Sequence, residues 1–192
     1  MKRFLLGATA LVVVGSVLVG GALLVAQRIA ANSSAPAAMA LPITCPPAAP
    51  VKVGSVSVPA GPIAGFCQDR LVNAAHIINA ARALGIGEHT QAIGVMTAMG
   101  ESGLVNLSHG DAAGADSRGL FQQRANGAWG SLTDRMTPYT AAYNFFTTLV
   151  TIPSWKTLTP TEAAHAVQHN ADPGYYTKYW NDAVTIVTAL TR

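Results

Sequence analysis

An all-α domain of about five helices is what the sequence predicts for residues 65–192, and three observations carry that expectation. Apolar residues recur near a 3.6-residue period in several separate windows. Pro and Gly fall where those windows begin and end. No internal repeat divides the stretch, so its helices share one core. A chain of 192 residues has room for one such domain with something added, and the additions lie at the N-terminus.

Phe4 to Ala26 is an uncharged apolar run preceded by Lys2-Arg3. Its length suits a bilayer span or a long signal segment. The two positive charges place the N-terminus in the cytoplasm and the remainder outside. Small-residue sites at Ala35-Pro36-Ala37 and Ala38-Met39-Ala40 would suit cleavage but lie well past the apolar run, which favours an uncleaved signal-anchor over residues 1–30. Residues 31–64 are rich in Ala, Pro, Ser, Val and Gly and read as an extracytoplasmic linker. Within it, Val51 to Val58 alternates as a short strand would. Cys45 and Cys67 are the only cysteines, and in an exported chain two cysteines are expected to form one disulfide. A catalytic Cys67 working with His76 is the sharper alternative, but no Gly-rich nucleophile context surrounds it.

The domain then unfolds in order. Gln68 to Leu84 carries apolar residues at 71, 72, 75, 77, 78, 81 and 84, with Asp69 near its start and Gly85 as its stop. Thr90 to Glu101 reads as a second helix, in which Gly94 and Gly100 either weaken the helix or admit a close neighbour. The stretch ANGAWGSLTDRMT is turn-rich. Thr137-Pro138 opens a third helix to about Val150, with Tyr139, Ala142, Tyr143, Phe146 and Val150 as its inward face. Thr159-Pro160-Thr161-Glu162 is a capping box that starts a helix to about His169. Asp172-Pro173-Gly174 ends it, and Tyr175 to Leu190 forms the last helix.

Charge narrows the function. From residue 41 onward nine Lys/Arg face nine Asp/Glu, so the net charge of +3 belongs to Lys2, Arg3 and Arg28. Nucleic-acid binding needs a basic patch in the folded part, and none is present, so nucleic acid is not an expected partner. The cytoplasmic membrane is one, through the N-terminal segment.

The stretch from Ala98 to Arg124 carries the chemistry. Glu101 stands at the end of an apolar, helix-patterned run, followed by a loop rich in Gly, Asp, Ser and His and then by GLFQQR at 119–124. A carboxyl on the last turn of a buried helix loses solvent and keeps its proton to higher pH, which is what a general acid requires.

These residues carry a resemblance. Glu101-Ser102-Gly103 at a helix end, followed by Gly119-Leu120-Phe121-Gln122, resembles the pairing in lysozyme-like lytic transglycosylases. The longer series GESGLVNL, DSRGLFQQR, WG, AAYNFF and WKTLTPTEAAHAVQHNADPGYYTKYW is similar to the transglycosylase-like domains of actinobacterial cell-wall hydrolases, which often accompany peptidase domains. It covers residues 66–190. The resemblance implies a lysozyme-like helical domain without cofactor that cleaves peptidoglycan glycan strands. Glu101 would protonate the glycosidic oxygen and then act as base on the muramoyl 6-hydroxyl. Ser102 would hydrogen-bond near the cleft, Gln122, Gln123 and Arg124 would bind sugar groups, and Trp129, Tyr175 and Tyr176 would stack on sugar faces. The chain departs from the pattern at Met99-Gly100, where the family most often has Leu-Gln, and in extra Gly/Ala residues between Leu107 and Ser117. Both bear on the pKa of the acid and the width of the cleft.

Several alternatives stay open. A hydrolase wants a second carboxylate roughly 5–9 Å from the first, and Asp111 and Asp116 are the candidates. A non-catalytic glycan-binding or scaffold module of an envelope complex for secretion or conjugation would keep the same motifs, with envelope proteins as partners. Phe121 reads as core, and Arg124 can equally pair with an acid such as Asp134. Glu162, His165 and His169 have the spacing of metal ligands, but zinc needs three or four ligands with supporting partners. His109, Asp111 and Asp116 lack the calcium-loop register. No metal is therefore expected.

Overall fold

The computed structural model describes residues 43–112 and 114–192. The expected membrane or signal segment and its cleavage sites lie outside the described residues. Among the described residues, no helix is long and apolar enough to cross a membrane.

The described residues form a mostly helical body with one small hairpin. Strands β1 (Val51–Val53) and β2 (Val56–Val58) precede α1 (Gln68–Ala83), α2 (Glu88–Ser102), α3 (Leu132–Met136), α4 (Pro138–Thr151), α5 (Pro160–Gln168) and α6 (Trp180–Thr191). Single 3-10 turns occupy Trp155–Thr157 and Thr177–Tyr179. Helix α1 packs chiefly on α4 and α2, and α2 packs on α6 and α5. The α2 segment from Gln91 to Met99 is buried on every side, which makes α2 the central helix.

The stretch expected to be a linker joins this body from Cys45 onward. β1 and β2 pair antiparallel, Val51 with Val58 and Val53 with Val56, across a turn whose Gly54 has positive φ. Val56 and Val58 are fully buried in the core. Asn79 of α1 donates from Nδ2 to the Val53 carbonyl at 2.6 Å, and Gln68 Nε2 donates to the carbonyls of Ala49 and Val58. The Cys45–Cys67 disulfide closes the arrangement over a separation of 22 residues. A cystine leaves no thiolate, so a catalytic Cys67 is excluded. Converting both cysteines to Ser is expected to lower stability by roughly 3 kcal/mol, the loop-closure value for a loop of this length. Urea melts of the oxidised wild type and the double variant measure it, and equal midpoints would show that the crosslink adds nothing.

Helix boundaries follow their punctuation. Gly85, in the left-handed region, ends α1 by donating to the Arg82 carbonyl. Thr159 and Glu162 form the expected box at the start of α5. Gly94 and Gly100 prove to be contact points. A Cβ on Gly94 would run into the Phe146 ring and lie 3.0 Å from Ile77 Cγ2, so the missing side chain lets α1 and α4 reach α2.

Three expectations shift. Helix α4 buries Ala141, Ala142, Phe145, Phe146 and Leu149, while Tyr139, Tyr143 and Val150 face outward at 36–41% exposure. The aromatic stripe had two phases, and the paired phenylalanines outweighed the tyrosines because a phenol surrenders its hydration when buried. The turn-rich stretch contains α3, started by a Ser131–Asp134 capping box. The last helix starts at Trp180, five residues late, because residues 172–179 form turns that bring Tyr175 and Tyr176 against the end of α2.

Candidate functional site

Glu101 sits in the last turn of α2, which Gly103 terminates in a left-handed conformation. It opens into a groove of about 1170 Å³. One side of the groove carries Leu107, His109 and Asp111, and the GLFQQR box contributes Gln122, Gln123 and Arg124. Trp129 and Thr148 extend it toward α4. Gln168, His169, Asn170 and Tyr175 come from the end of α5 and the turn after it.

Glu101 is half-buried, and this burial raises its pKa above the usual carboxylate range. Hydrogen bonds from Tyr176 and Gln168 pull the pKa down, and the charge of Asp111 adds a smaller upward push. The Tyr176 hydroxyl donates to Glu101 Oε1 from a fully buried ring. The neighbouring Tyr175 hydroxyl donates to the Gly100 carbonyl at 3.0 Å, and its own pKa is pushed up to about 12, chiefly by burial. A Cβ on Gly100 would lie 2.6 Å from Tyr176 Cδ1 and 3.1 Å from Tyr175 Cε1. Gly100 is thus the position at which two tyrosines reach the helix end.

The remaining expected site residues divide. Gln122, Gln123, Arg124, Trp129 and Tyr175 all line the groove. Gln122 adopts positive φ, with its Nε2 donating to the Gly119 carbonyl at 3.2 Å. Gln123 is buried, and its Nε2 donates to Ala141 O at 3.0 Å. Phe121 is core, stacked on Phe145. Ser102 turns away from the groove: its Oγ lies 3.0 Å from Ala98 O and 2.8 Å from Leu120 O, which ties the end of α2 to the box. Tyr176 has no exposed face on which a sugar could stack and serves Glu101 instead.

The two further aspartates differ sharply. Arg124 pairs with Asp116 at 2.7 Å, not with Asp134, which caps α3. Asp116 also accepts from the Ala125 amide, and the Arg124 guanidinium with that amide holds its carboxyl down at about 2. It is not among the groove-lining residues. Asp111 does line the groove and accepts from the Gly114 amide at 2.9 Å. The His-rich pattern is spent locally. Glu162 accepts from Thr159, His165 Nδ1 lies 2.8 Å from Asn170 Oδ1, and His169 caps α5 in the left-handed conformation. Among the described residues, no three His, Cys, Asp or Glu side chains are grouped to hold a metal.

Sequence reasoning missed Gln168 and the service role of Tyr176. Gln168 donates to the Phe121 carbonyl at 2.8 Å and also reaches Glu101, so it joins α5, the box and the acid. The polar interruption after Val167 on an otherwise amphipathic helix was the only signal for it.

Tyr176→Phe is expected to raise the Glu101 pKa further, because the lost donor had favoured the ionised form. The titration profile of the Glu101 carboxyl, followed by its carbon-13 shift, should move upward in pH. A profile superimposable on that of the wild type would exclude the coupling.

No protein-family model matches the chain, and no curated protein matches it.

Proposed function

We propose that this chain is a cell-wall glycosidase of lysozyme-like architecture that cleaves peptidoglycan glycan strands by lytic transglycosylation, with Glu101 as acid and then base. The observation that carries the reading is the state of Glu101. It is a carboxyl with a raised pKa, fixed by a buried tyrosine, at the wall of a groove large enough for several sugar units. Protonated Glu101 gives its proton to the bridging oxygen between N-acetylmuramic acid and N-acetylglucosamine as the C1–O bond breaks. The carboxylate left behind removes the proton of the muramoyl 6-hydroxyl, and O6 closes on C1. The product is a 1,6-anhydro end, no water is consumed, and Glu101 is again protonated. Gln122 and Gln168 present amides that suit sugar hydroxyls and N-acetyl groups, and Trp129 and Tyr175 offer ring edges along the groove. An apolar N-terminal anchor would hold the enzyme at the outer face of the cytoplasmic membrane, beside its substrate and any envelope partners.

One carboxylate suffices for this scheme. Asp116 is committed to Arg124, which supports a one-acid mechanism. Asp111 supports the second reading, a two-acid hydrolase, because it lines the same groove and its charge bears on Glu101. Digestion of purified peptidoglycan followed by mass analysis of the products decides between them. Anhydro-muropeptides identify transglycosylation, and reducing ends identify hydrolysis. Intact glycan with retained binding would identify a non-catalytic glycan-binding or scaffold module instead.

A further inference from the structure

Helix α4 carries a surface that the groove does not explain. Its fourteen residues, PYTAAYNFFTTLVT, include no charged side chain. Tyr139 and Tyr143, one turn apart, stand outward with stacked rings, their centroids 6.3 Å apart and their planes within 21°. Thr147 and the exposed Val150 continue the same stripe, which at 1.5 Å per residue runs about 16 Å along the helix. Neither phenol has a hydrogen-bond partner among the described side chains, and both rings stay 36–37% exposed although water disfavours them.

The stripe lies on the helix face next to the one that meets the groove, about 100° round the axis. Thr148, adjacent to Thr147, lines the groove wall, and Asn144, adjacent to Tyr143, donates from Nδ2 to the Trp129 carbonyl at 3.3 Å. Trp129 itself lines the groove. Between the groove wall at Thr148 and the paired tyrosines, α4 presents the half-exposed Asn144 and Thr147 and no charged side chain.

We propose that Tyr139 and Tyr143 form a distal carbohydrate-binding platform that takes the continuation of a neutral polysaccharide strand held in the groove. The chemistry matches that class of ligand. Pyranose faces are apolar and lie flat on aromatic rings, as other planar partners do, and their equatorial hydroxyls hydrogen-bond to phenol, hydroxyl and amide groups. Phosphorylated or strongly acidic polymers would need cations, which α4 does not supply. A membrane surface would be met by basic residues beside the aromatics, and α4 has none. The platform deepens the glycosidase reading and rests on it for the identity of the strand. Its role is to hold long substrate, so it acts on affinity and leaves the acid at Glu101 untouched.

The test uses the full chain in mild detergent, as Glu101→Gln so that bound glycan stays intact, with and without Tyr139→Ala/Tyr143→Ala. Binding is measured to insoluble peptidoglycan and to soluble N-acetylglucosamine oligomers of increasing length. The tyrosine pair is expected to contribute roughly tenfold in affinity on peptidoglycan and on the longest oligomers, and nothing on a disaccharide. In the Glu101-containing protein the same double variant should cleave long strands with raised KM and unchanged kcat. Tyr139→Phe/Tyr143→Phe, which keeps the rings, should recover most of the loss and guards against a folding artefact. Equal binding by parent and double variant overturns the proposal. So does a loss that appears instead in binding to phospholipid vesicles, or in the oligomeric mass by light scattering. A protein that binds long glycan through the tyrosines yet never cleaves it would overturn the glycosidase reading and leave the platform standing.

Discussion

Glu101→Gln is expected to lower glycan-strand cleavage by roughly a thousandfold, because general acid transfer alone supplies 10²- to 10⁴-fold. Gln keeps the shape and can still accept from the Tyr176 hydroxyl, so binding of long glycan should persist. The variant should also be more stable than the wild type at neutral pH. In the folded chain burial holds the Glu101 proton to higher pH than in the unfolded chain, so between the two pKa values the native state binds more protons. Stability then falls as pH rises through that window. Below about pH 4 the raised pKa adds its full contribution, and above the folded value that contribution is gone. Gln does not titrate, so the midpoints of the two proteins should diverge as pH is raised from about 4. Product quantification by mass and urea melts at several pH values measure both effects. Undiminished cleavage by Glu101→Gln would remove the acid from the mechanism.

Gly119→Ala is expected to cost about 3 kcal/mol, combining backbone strain with overpacking. Gly119 has φ +77, and a Cβ there would collide with the carbonyl oxygen of Arg135. Its own amide donates to Leu107 O at 2.8 Å, so the residue joins the Glu101 loop to the box. The obstacle is backbone, and no side-chain rotation relieves it. The same variant should therefore lose cleavage, since Gln122 and Gln123 follow directly. Chemical denaturation gives the first effect and a digestion assay the second. A midpoint unchanged from that of the wild type would show that the box tolerates a different path.

Much of this was legible wherever a signal is local. The capping box at Thr159, the stop at Gly85 and a lone carboxylate at a helix end can each be read within a few residues, and the Cys45–Cys67 pairing follows from a count of two cysteines. What escaped depends on partners distant in the chain. Tyr176 is 75 residues from Glu101, and its aromatic character fits a helix face or a sugar platform equally well. Gly100 could weaken the helix or admit a close neighbour, and only the tyrosines packed on it decide for the second. The face of α4 was misplaced because Tyr and Phe count alike in a periodicity argument, although burial separates them. For Arg124 an acid partner such as Asp134 stood beside sugar binding, and the loop curvature that delivers Asp116 instead has no signature in composition.

Arg135 carries one more consequence. Its side chain is buried, and Nη1 donates to the carbonyls of both Asp116 and Gln123 at 3.0 and 3.1 Å, so a cation from α3 is neutralised by backbone dipoles of the groove wall. Residues 116–123 cannot lift away without stranding that charge in the interior, a cost of several kcal/mol. The wall and α3 therefore open and close as a single cooperative unit.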